Sequence, residues 1–165
     1  FPAGLQHHPV LESVRRQIEA TERSAVGQPY MDLTLKNTAG ETVALASFVG
    51  TGRWVLLDFW ATWCGPCCRE IPHLKEAYEA LKGRGFEIYA VSIDGDTERW
   101  RQFVAENGLA WTNVISEGGG KESPAAAMYG IRFIPSNFLI APDGTIAAKN
   151  VPGRQLQERL EKLMK

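Results

Sequence analysis

Cysteine is scarce in this chain and confined to one place. The 165 residues contain three cysteines, Cys64, Cys67 and Cys68, all within five consecutive positions. Cysteines this close together cannot link distant parts of a fold, which excludes a framework of structural disulfides. A structural zinc site needs four Cys or His ligands, and a second pair is missing because His73 is the only histidine outside the N-terminal tail.

An excess of charge of one sign and long apolar runs are also absent. The formal net charge is −1, so the composition does not favour a nucleic-acid partner or a polybasic membrane-binding surface. No apolar run approaches the roughly 18 residues that a membrane-spanning helix needs. The chain begins with Phe1 rather than Met, and we interpret this N-terminus as processed or cut. A removed signal peptide and an upstream domain are both compatible with this, and the chain itself shows neither.

The stretch from Trp63 to Cys67, Trp-Cys-Gly-Pro-Cys, is the most informative one present. It follows an apolar run over 55–60 that is typical of a buried strand, and it opens a segment, 65–82, with the pattern of a helix. A Cys-x-x-Cys pair at such a strand-to-helix junction is typical of a redox-active dithiol that opens and closes as a disulfide.

The positions of the two cysteines assign them different roles. Thiolates rather than thiols attack disulfides, and Cys64 would lie at the helix N-terminus, where unpaired N–H groups favour negative charge. Pro66 suits the first helical turn because its missing N–H is not needed there. We therefore expect Cys64 to be the exposed, attacking thiol. Cys67, one turn further along, would be the more buried thiol that resolves the mixed disulfide.

Strands and helices alternate along the chain. We predict strands at 31–35, 42–45, 53–60, 86–93, 111–115, 134–140 and 145–148, and helices at 9–24, 65–82, 97–107, 122–129 and 155–165. Alternation in the middle predicts parallel strand pairs, and hairpins at both ends predict antiparallel ones. The expected fold class is therefore α/β, with a central mixed sheet and helices on both faces.

The N-terminal helix at 9–24 has two interpretations. Its apolar residues follow a spacing of three and four positions, which is typical of one buried face. The helix either packs on the domain or belongs to a linker from an upstream region, and the sequence favours neither. We place a boundary between an N-terminal helix or linker, 1–26, and the main domain, 27–165.

Residues 58–67, Asp-Phe-Trp-Ala-Thr-Trp-Cys-Gly-Pro-Cys, resemble the active-site strand and loop of thioredoxin. Pro72, five residues after Cys67, matches the proline that kinks the active-site helix of that fold. Ile134 and Pro135, which precede an apolar strand, match its cis-proline loop. The resemblance therefore extends beyond the cysteine motif to two distant prolines.

The chain more closely resembles the TlpA/ResA-type thiol-disulfide oxidoreductases, over residues 27–164. The N-terminal hairpin, Arg-Glu at 69–70, Val-Ser-Ile-Asp at 91–94 and Tyr-Gly-Ile at 129–131 carry this resemblance. It implies a thioredoxin-like fold with an N-terminal β-hairpin and a central αβ insert. It also implies a bacterial protein outside the cytoplasm, periplasmic or membrane-tethered, that acts on disulfide-containing proteins and receives electrons from a membrane thiol-disulfide carrier. We expect a monomer without a metal or a cofactor other than its own disulfide.

The resemblance gives Asp58 a role in proton transfer. Asp58 lies inside the apolar strand, six residues before Cys64, and resembles the buried acid behind the thioredoxin disulfide. An acid in apolar surroundings tends to stay protonated, so it could pass a proton to or from Cys67. The alternative is an aspartate at a strand end whose carboxylate is satisfied by hydrogen bonds.

The same resemblance predicts a substrate-binding rim around the disulfide. Pro135 would be cis, facing the disulfide, with the backbone of Ile134 free to pair with an extended substrate segment. The alternative is a proline that merely starts an edge strand. Trp63, Gly65 and Pro66 would complete the rim, and Trp63 would shield the disulfide with an apolar surface.

Cys68 leaves a structural and a functional alternative open. It is either an inert packing residue or a third redox thiol. Cys64 and Cys68 also form a Cys-x-x-x-Cys pair, and soft thiolates select Cu(I). A Cu(I) carrier that uses Cys64, Cys67 and Cys68 is therefore the alternative function.

Other activities of the same fold receive less support. A peroxidase of the peroxiredoxin type needs a threonine three residues before the reactive cysteine, where this chain has Ala61. A binding module with an idle disulfide is a further non-enzymatic hypothesis. Gly-Pro between the cysteines resembles thioredoxin, whose potential is about −270 mV, so we predict net reduction of protein disulfides.

Overall fold

One seven-stranded mixed sheet organises residues 8–165, which are the residues that the structure, a computed structural model, describes. Its strands are β1 (Thr34–Asn37), β2 (Thr42–Ala44), β3 (Trp54–Trp60), β4 (Phe86–Ser92), β5 (Thr112–Ile115), β6 (Ser136–Ile140) and β7 (Ile146–Lys149). Their order across the sheet is β2-β1-β5-β4-β3-β6-β7. Strands β3 and β5 run parallel to β4, and the remaining pairs are antiparallel. The predicted mixed sheet is confirmed.

Helices cover both faces of this sheet. They are α1 (Pro9–Arg23), α2 (Gly65–Leu81), α3 (Thr97–Glu106), α4 (Pro124–Met128) and α5 (Gly153–Leu163). Successive side chains of a strand point to opposite faces. Trp60 contacts Phe103 of α3, with ring centroids 5.6 Å apart, whereas Phe59 contacts Tyr129, just after α4, at 5.7 Å. Helices α3 and α4 therefore lie on opposite faces.

The N-terminal hairpin and the central insert are both present. Strands β1 and β2 form the hairpin, and β1 joins the rest of the sheet by pairing with β5. Helix α3 and strand β5 lie between β4 and α4 in the chain, and β5 pairs with β4. The insert therefore extends the sheet on the side away from the cysteines, beyond β4.

Strand β3, which leads to the cysteine motif, is buried on both faces. Every residue from Val55 to Trp60 is buried, and Val55, Leu56, Leu57 and Phe59 have no exposed surface. A strand covered on both faces carries a continuous apolar run rather than an alternating one. The single acid in this run, Asp58, is consequently surrounded by apolar groups, with 7% of its surface exposed.

The first strand is shorter than the sequence predicts. Strand β1 begins at Thr34 rather than at Met31. The hydroxyl group of Tyr129 donates to the carbonyl oxygen of Met31 and accepts from its N–H at 2.9 Å. Because a tyrosine side chain occupies both backbone groups of Met31, that residue cannot enter the hydrogen-bond ladder of the sheet.

Helix α1 packs on the remainder of the fold. The side-chain amide of Gln17 donates to the carbonyl oxygen of Gly130 at 2.8 Å. The hydroxyl of Ser24 donates to the carbonyl oxygen of Tyr129 at 3.0 Å. The C-terminal end of this helix therefore packs on the fold. The predicted apolar stripe does not form a buried face, because Val10, Val14 and Ile18 are 61%, 48% and 51% exposed.

The proposed boundary between residues 1–26 and 27–165 stays a prediction. Residues 1–7 of the N-terminal segment lie outside the described part of the chain. Within residues 8–165, no helix is long and apolar enough to span a membrane.

Candidate active site

The disulfide between Cys64 and Cys67 lies where β3 leads into α2. Cys64 occupies the N-cap position of α2, and its sulfur accepts a hydrogen bond from the N–H of Cys67 at 3.2 Å. The two Cα atoms are 5.2 Å apart and the sulfurs are bonded. The sulfur of Cys64 thus lies against the unpaired N–H groups of a helix N-terminus, which is the environment that stabilises a thiolate once the bond is reduced.

The two cysteines do not differ in exposure as the sequence predicted. Cys64 has 5% of its surface exposed and Cys67 has 4%. In the oxidised form the two sulfurs are bonded to each other and both residues are buried. The contrast between them lies in their places on α2, since Cys64 caps the helix and Cys67 lies inside its first turn.

Asp58 carries a strongly perturbed carboxyl group. Burial in the apolar strand raises its pKa to about 7, and the charge of Glu70 on α2 contributes in the same direction. Within residues 8–165, no group donates a hydrogen bond to this carboxyl group. Its neutral form is therefore favoured by desolvation, and the alternative of a hydrogen-bonded strand-end aspartate is not what the structure shows.

Glu70 links the active-site helix to the C-terminal helix. Its carboxylate accepts a hydrogen bond from the N–H of Gly153, the first residue of α5. A Cβ atom at position 153 would collide with the same carboxylate. The absence of a side chain at Gly153 lets α2 and α5 approach closely, and this fixes the charge of Glu70 near Asp58.

The loop before β6 contains the predicted cis peptide bond, between Ile134 and Pro135. The ladder between β3 and β6 pairs Phe59 with Ser136 at its last position. The loop therefore lies at the end of the sheet where β3 delivers the cysteines. The hydroxyl of Ser136 donates to the carbonyl oxygen of Phe133 at 2.6 Å and ties the loop to the strand.

Two large aromatic side chains are exposed at this end of the sheet. Trp63, beside the disulfide, has 59% of its surface exposed, and the neighbouring Gly65 and Pro66 are also exposed. Phe133, next to Ile134, is 65% exposed. Phe133 was not among the residues predicted for the rim, although its position as an aromatic residue directly before the Ile-Pro pair was a signal for it.

Cys68 is the free thiol beside the disulfide. Its S–H donates to the carbonyl oxygen of Thr62 at 3.6 Å. Burial raises its pKa, the charge of Asp94 adds to this, and Arg69 acts in the opposite direction. In residues 8–165, no cluster of three or more His, Cys, Asp or Glu side chains is arranged to hold a metal ion. No observation in the described chain favours the copper interpretation over disulfide chemistry.

Comparison with known proteins places this site in a family. The model of the AhpC/TSA family matches residues 26–149. The chain belongs to the AhpC/TSA family. Within this family it is similar to the thiol-disulfide oxidoreductase ResA of Bacillus thuringiensis subsp. konkukian, at 32% identity over 87% of this chain and 79% of that protein. ResA of Oceanobacillus iheyensis is 36% identical over 82% of the chain and 69% of that protein.

Solved structures agree with these relatives. The thioredoxin domain of a thiol-disulfide oxidoreductase from Bacteroides vulgatus superposes with a TM-score of 0.76 at 33% identity, covering 86% of this chain and 99% of that one. The AhpC/TSA family member described here therefore has a thioredoxin-like fold and is a ResA-type thiol-disulfide oxidoreductase, with the Cys64–Cys67 pair as its redox-active disulfide. Its substrates contain disulfides.

The family assignment does not bring a peroxidase site with it. The position three residues before Cys64 is Ala61, which is buried. The hydroxyl of the neighbouring Thr62 donates to the carboxylate of Asp94 at 2.5 Å. The one threonine of this loop is thus occupied by an internal hydrogen bond.

Proposed function

We propose that the protein reduces disulfides in other proteins, with Cys64 as the attacking thiol and Cys67 as the resolving thiol. The observation that carries this assignment is the position of Cys64 at the N-cap of α2, where its sulfur accepts the N–H of Cys67. A helix N-terminus stabilises a thiolate, and an attacking cysteine must be a thiolate near neutral pH. Cys67, inside the helix, lacks this position.

The exchange proceeds in two displacements. The Cys64 thiolate attacks one sulfur of the substrate disulfide, the substrate S–S bond breaks, and one substrate thiolate leaves. The Cys67 thiolate then attacks the Cys64 sulfur, releases the second substrate thiolate and closes the disulfide. Two electrons pass from the enzyme dithiol to the substrate, which takes up two protons.

We assign to Asp58 the proton that Cys67 must lose. Its pKa of about 7 places it close to half-protonation at neutral pH, where a general base or acid is most effective. It lies on β3, the strand that leads to the disulfide, and the charge of Glu70 on α2 acts on it. The absence of hydrogen-bond donors to its carboxyl group within residues 8–165 leaves that group available for proton transfer.

The exposed aromatic rim supports binding of an unfolded or extended substrate segment. Trp63 and Phe133 offer apolar surface, with Gly65 and Pro66 between the cysteines. The ladder of β6 starts at Ser136, so the backbone of Ile134, in the Ile134-Pro135 loop, lies outside it. We assign to that backbone the pairing with the substrate, in the manner of a strand added at an edge.

We further propose that the protein works outside the cytoplasm as a monomer, recharged by a membrane thiol-disulfide carrier. The resemblance to TlpA/ResA-type proteins supports this setting. Gly-Pro between the cysteines supports the reducing direction. A redox potential above about −180 mV, in the range of oxidising isomerases, would overturn the direction. Cell fractionation with alkylation of the thiols in place tests the compartment.

An insulin-reduction assay tests the central assignment. The wild type should reduce insulin in the presence of dithiothreitol, Cys64→Ser should be inactive, and Cys68→Ser should retain activity. Equal rates for the wild type and Cys64→Ser would show an idle disulfide. Cys67→Ser should hold its substrate as a mixed disulfide on Cys64, and mass spectrometry of the trapped complex identifies the partner.

A further inference from the structure

A second buried acid, Asp94, lies beside the active-site loop and has no assigned role. It follows β4 and has 4% of its surface exposed. Its carboxylate accepts the N–H of Thr62 at 3.0 Å, the hydroxyl of Thr62 at 2.5 Å and the hydroxyl of Ser92 at 2.5 Å. Hydrogen bonds to a carboxylate are stronger than those between neutral groups, most of all away from water.

Thr62 is held on its other side by the third cysteine. The S–H of Cys68, in α2, donates to the carbonyl oxygen of Thr62. The N–H, the hydroxyl and the carbonyl of Thr62 therefore all have partners, and this residue stands two positions before Cys64. Asp94 fixes the start of the turn that carries the attacking thiol, and Cys68 is bonded to the same residue.

The glycine-rich segment at 118–120 packs against the backbone that carries Asp94. The N–H of Gly120 donates to the carbonyl oxygen of Ile93 at 2.8 Å. A Cβ atom at Gly119 would lie 3.1 Å from the Cα atom of Gly95, so the absence of side chains lets the segment close over the end of β4.

We propose that Asp94 is a positioning residue for the exchange reaction. By fixing Thr62, it holds the turn that places Cys64 at the N-terminus of α2. By fixing the carbonyl of the same residue, it keeps the Cys68 thiol bonded away from the exchange, so that Cys67 is the thiol that closes on Cys64. This inference rests on the proposed roles of Cys64 and Cys67.

The cluster would prevent a competing reaction, in which Cys68 rather than Cys67 forms the disulfide with Cys64. A Cys68 thiolate could attack the Cys64 sulfur of the mixed disulfide, form a Cys64–Cys68 bond and release the substrate thiolate. This attack would release the same reduced substrate but leave a Cys64–Cys68 disulfide in the enzyme. Because the thiol form does not attack, a Cys68 that stays protonated and bonded to Thr62 does not compete with Cys67.

The test compares Asp94→Asn with Asp96→Asn. An amide at position 94 can accept at only one of its two terminal atoms, so the cluster cannot be satisfied as it is in the wild type. Asp96 caps α3 through the N–H of Arg99, and its substitution controls for a lost hydrogen bond nearby. In Asp94→Asn, alkylation of Cys68 in the oxidised protein should accelerate about tenfold, and kcat for insulin reduction should fall about tenfold with KM unchanged.

Mass mapping of the enzyme after one turnover gives a further readout. A Cys64–Cys68 link should appear in Asp94→Asn and be absent from the wild type and from Asp96→Asn. If Asp94→Asn does not fold, Thr62→Val, which lacks the hydroxyl, should show the same changes, and Thr62→Ser should restore wild-type behaviour. Alkylation and linkage equal to those of Asp96→Asn, or no difference between Thr62→Val and Thr62→Ser, would overturn the proposal. An inactive wild type would instead overturn the proposed function.

Discussion

Asp58 and Asp94 are both buried acids beside the loop that carries the disulfide, with 7% and 4% of their surfaces exposed. Asp94 accepts three hydrogen bonds from Thr62 and Ser92. Asp58 accepts none from the described residues, and its pKa rises to about 7. Asp94 is therefore held by protein donors, whereas Asp58 accepts no hydrogen bond from the described residues. This difference supports the positioning role proposed for Asp94 and the proton-transfer role proposed for Asp58. Two similarly buried acids can therefore differ in role, because the number of hydrogen-bond donors around each carboxyl group differs.

The largest expected effect is the loss of stability on removing the satisfied acid. Asp94→Ala leaves the N–H and hydroxyl of Thr62 and the hydroxyl of Ser92 buried without an acceptor. A buried donor left without an acceptor costs about 1–3 kcal/mol, so for three donors the free energy of unfolding should fall by about 3–9 kcal/mol. Urea denaturation followed by tryptophan fluorescence measures this.

Asp96→Ala is the matched control for that experiment. It removes the N-cap of α3, which should cost about 1 kcal/mol. If the two alanine variants lose stability equally, Asp94 is no more than a cap-like contact and the contrast between the two buried acids disappears.

Removing the charge of Asp58 should raise the free energy of unfolding, whereas removing Asp94 should lower it. The pKa of Asp58 is about 7 in the folded protein against 3.8 for an unperturbed carboxyl group. Between these pH values the carboxyl group of Asp58 binds more protons in the folded state than in the unfolded state. The contribution of Asp58 to the free energy of unfolding therefore falls as the pH rises from 4 to 7 and is constant above pH 7. Asp58→Asn should therefore raise the free energy of unfolding of the oxidised protein by about 2–4 kcal/mol at pH 8.

The same variant should change little at pH 4, where the carboxyl group of Asp58 is neutral in the native protein. Denaturation at the two pH values separates electrostatic from packing effects, because a packing defect would lower the stability at both. A stability gain that did not depend on pH would show that Asp58 is not the titrating group.

A buried acid at Asp58 could be predicted from the sequence, but the contact between Asp94 and Thr62 could not, for a physical reason. A lone acid in an apolar run is visible within a few residues of chain, and so is a Cys-x-x-Cys pair before a helix. The contact between Thr62 and Asp94 joins positions 32 apart. It exists because β3 and β4 run parallel and the ladder continues one step, with the N–H of Ile93 donating to the carbonyl oxygen of Trp60.

The same limit explains the two smaller differences. Strand β1 starts late because the side chain of Tyr129, distant in sequence, takes the backbone groups of Met31. The predicted contrast in exposure between Cys64 and Cys67 fails because both residues are buried in the assembled fold, where their sulfurs are bonded to each other. Element order and the cysteine pair follow from local patterns, and the cis-proline follows from the resemblance to thioredoxin. Burial and the choice of hydrogen-bond partners follow from the assembled sheet.

Asp58→Asn should also slow the resolving step by about tenfold, the low end of what a positioned general base contributes. In the wild type, the attack of Cys67 on a mixed disulfide of Cys64 should accelerate through pH 7, as the carboxylate of Asp58 forms and takes the proton. The variant should lose this step in the profile. Stopped-flow release of a coloured thiol from a preformed mixed disulfide, from pH 6 to 9, measures both.

Cys68→Ser serves as the control in these kinetics, because it leaves the Cys64–Cys67 pair intact. Its profile should match that of the wild type. An unchanged profile in Asp58→Asn would remove the proton-transfer role and leave Asp58 as an unexplained buried acid.

The smallest expected effect concerns the charge that faces Asp58. Glu70→Gln removes the charge that helps to raise the pKa of Asp58, while burial, the larger cause, stays. The pKa of Asp58 should therefore fall, by up to about one unit, since a nearby like charge disfavours ionisation. The midpoint of the resolving step should move to lower pH by the same amount.

Glu76→Gln, on the exposed face of the same helix, removes an equal charge and should leave the midpoint in place. A shift of equal size in both variants would mean that the net charge of the protein influences the pKa of Asp58. The position of Glu70, which the hydrogen bond to Gly153 fixes, would then have no special effect.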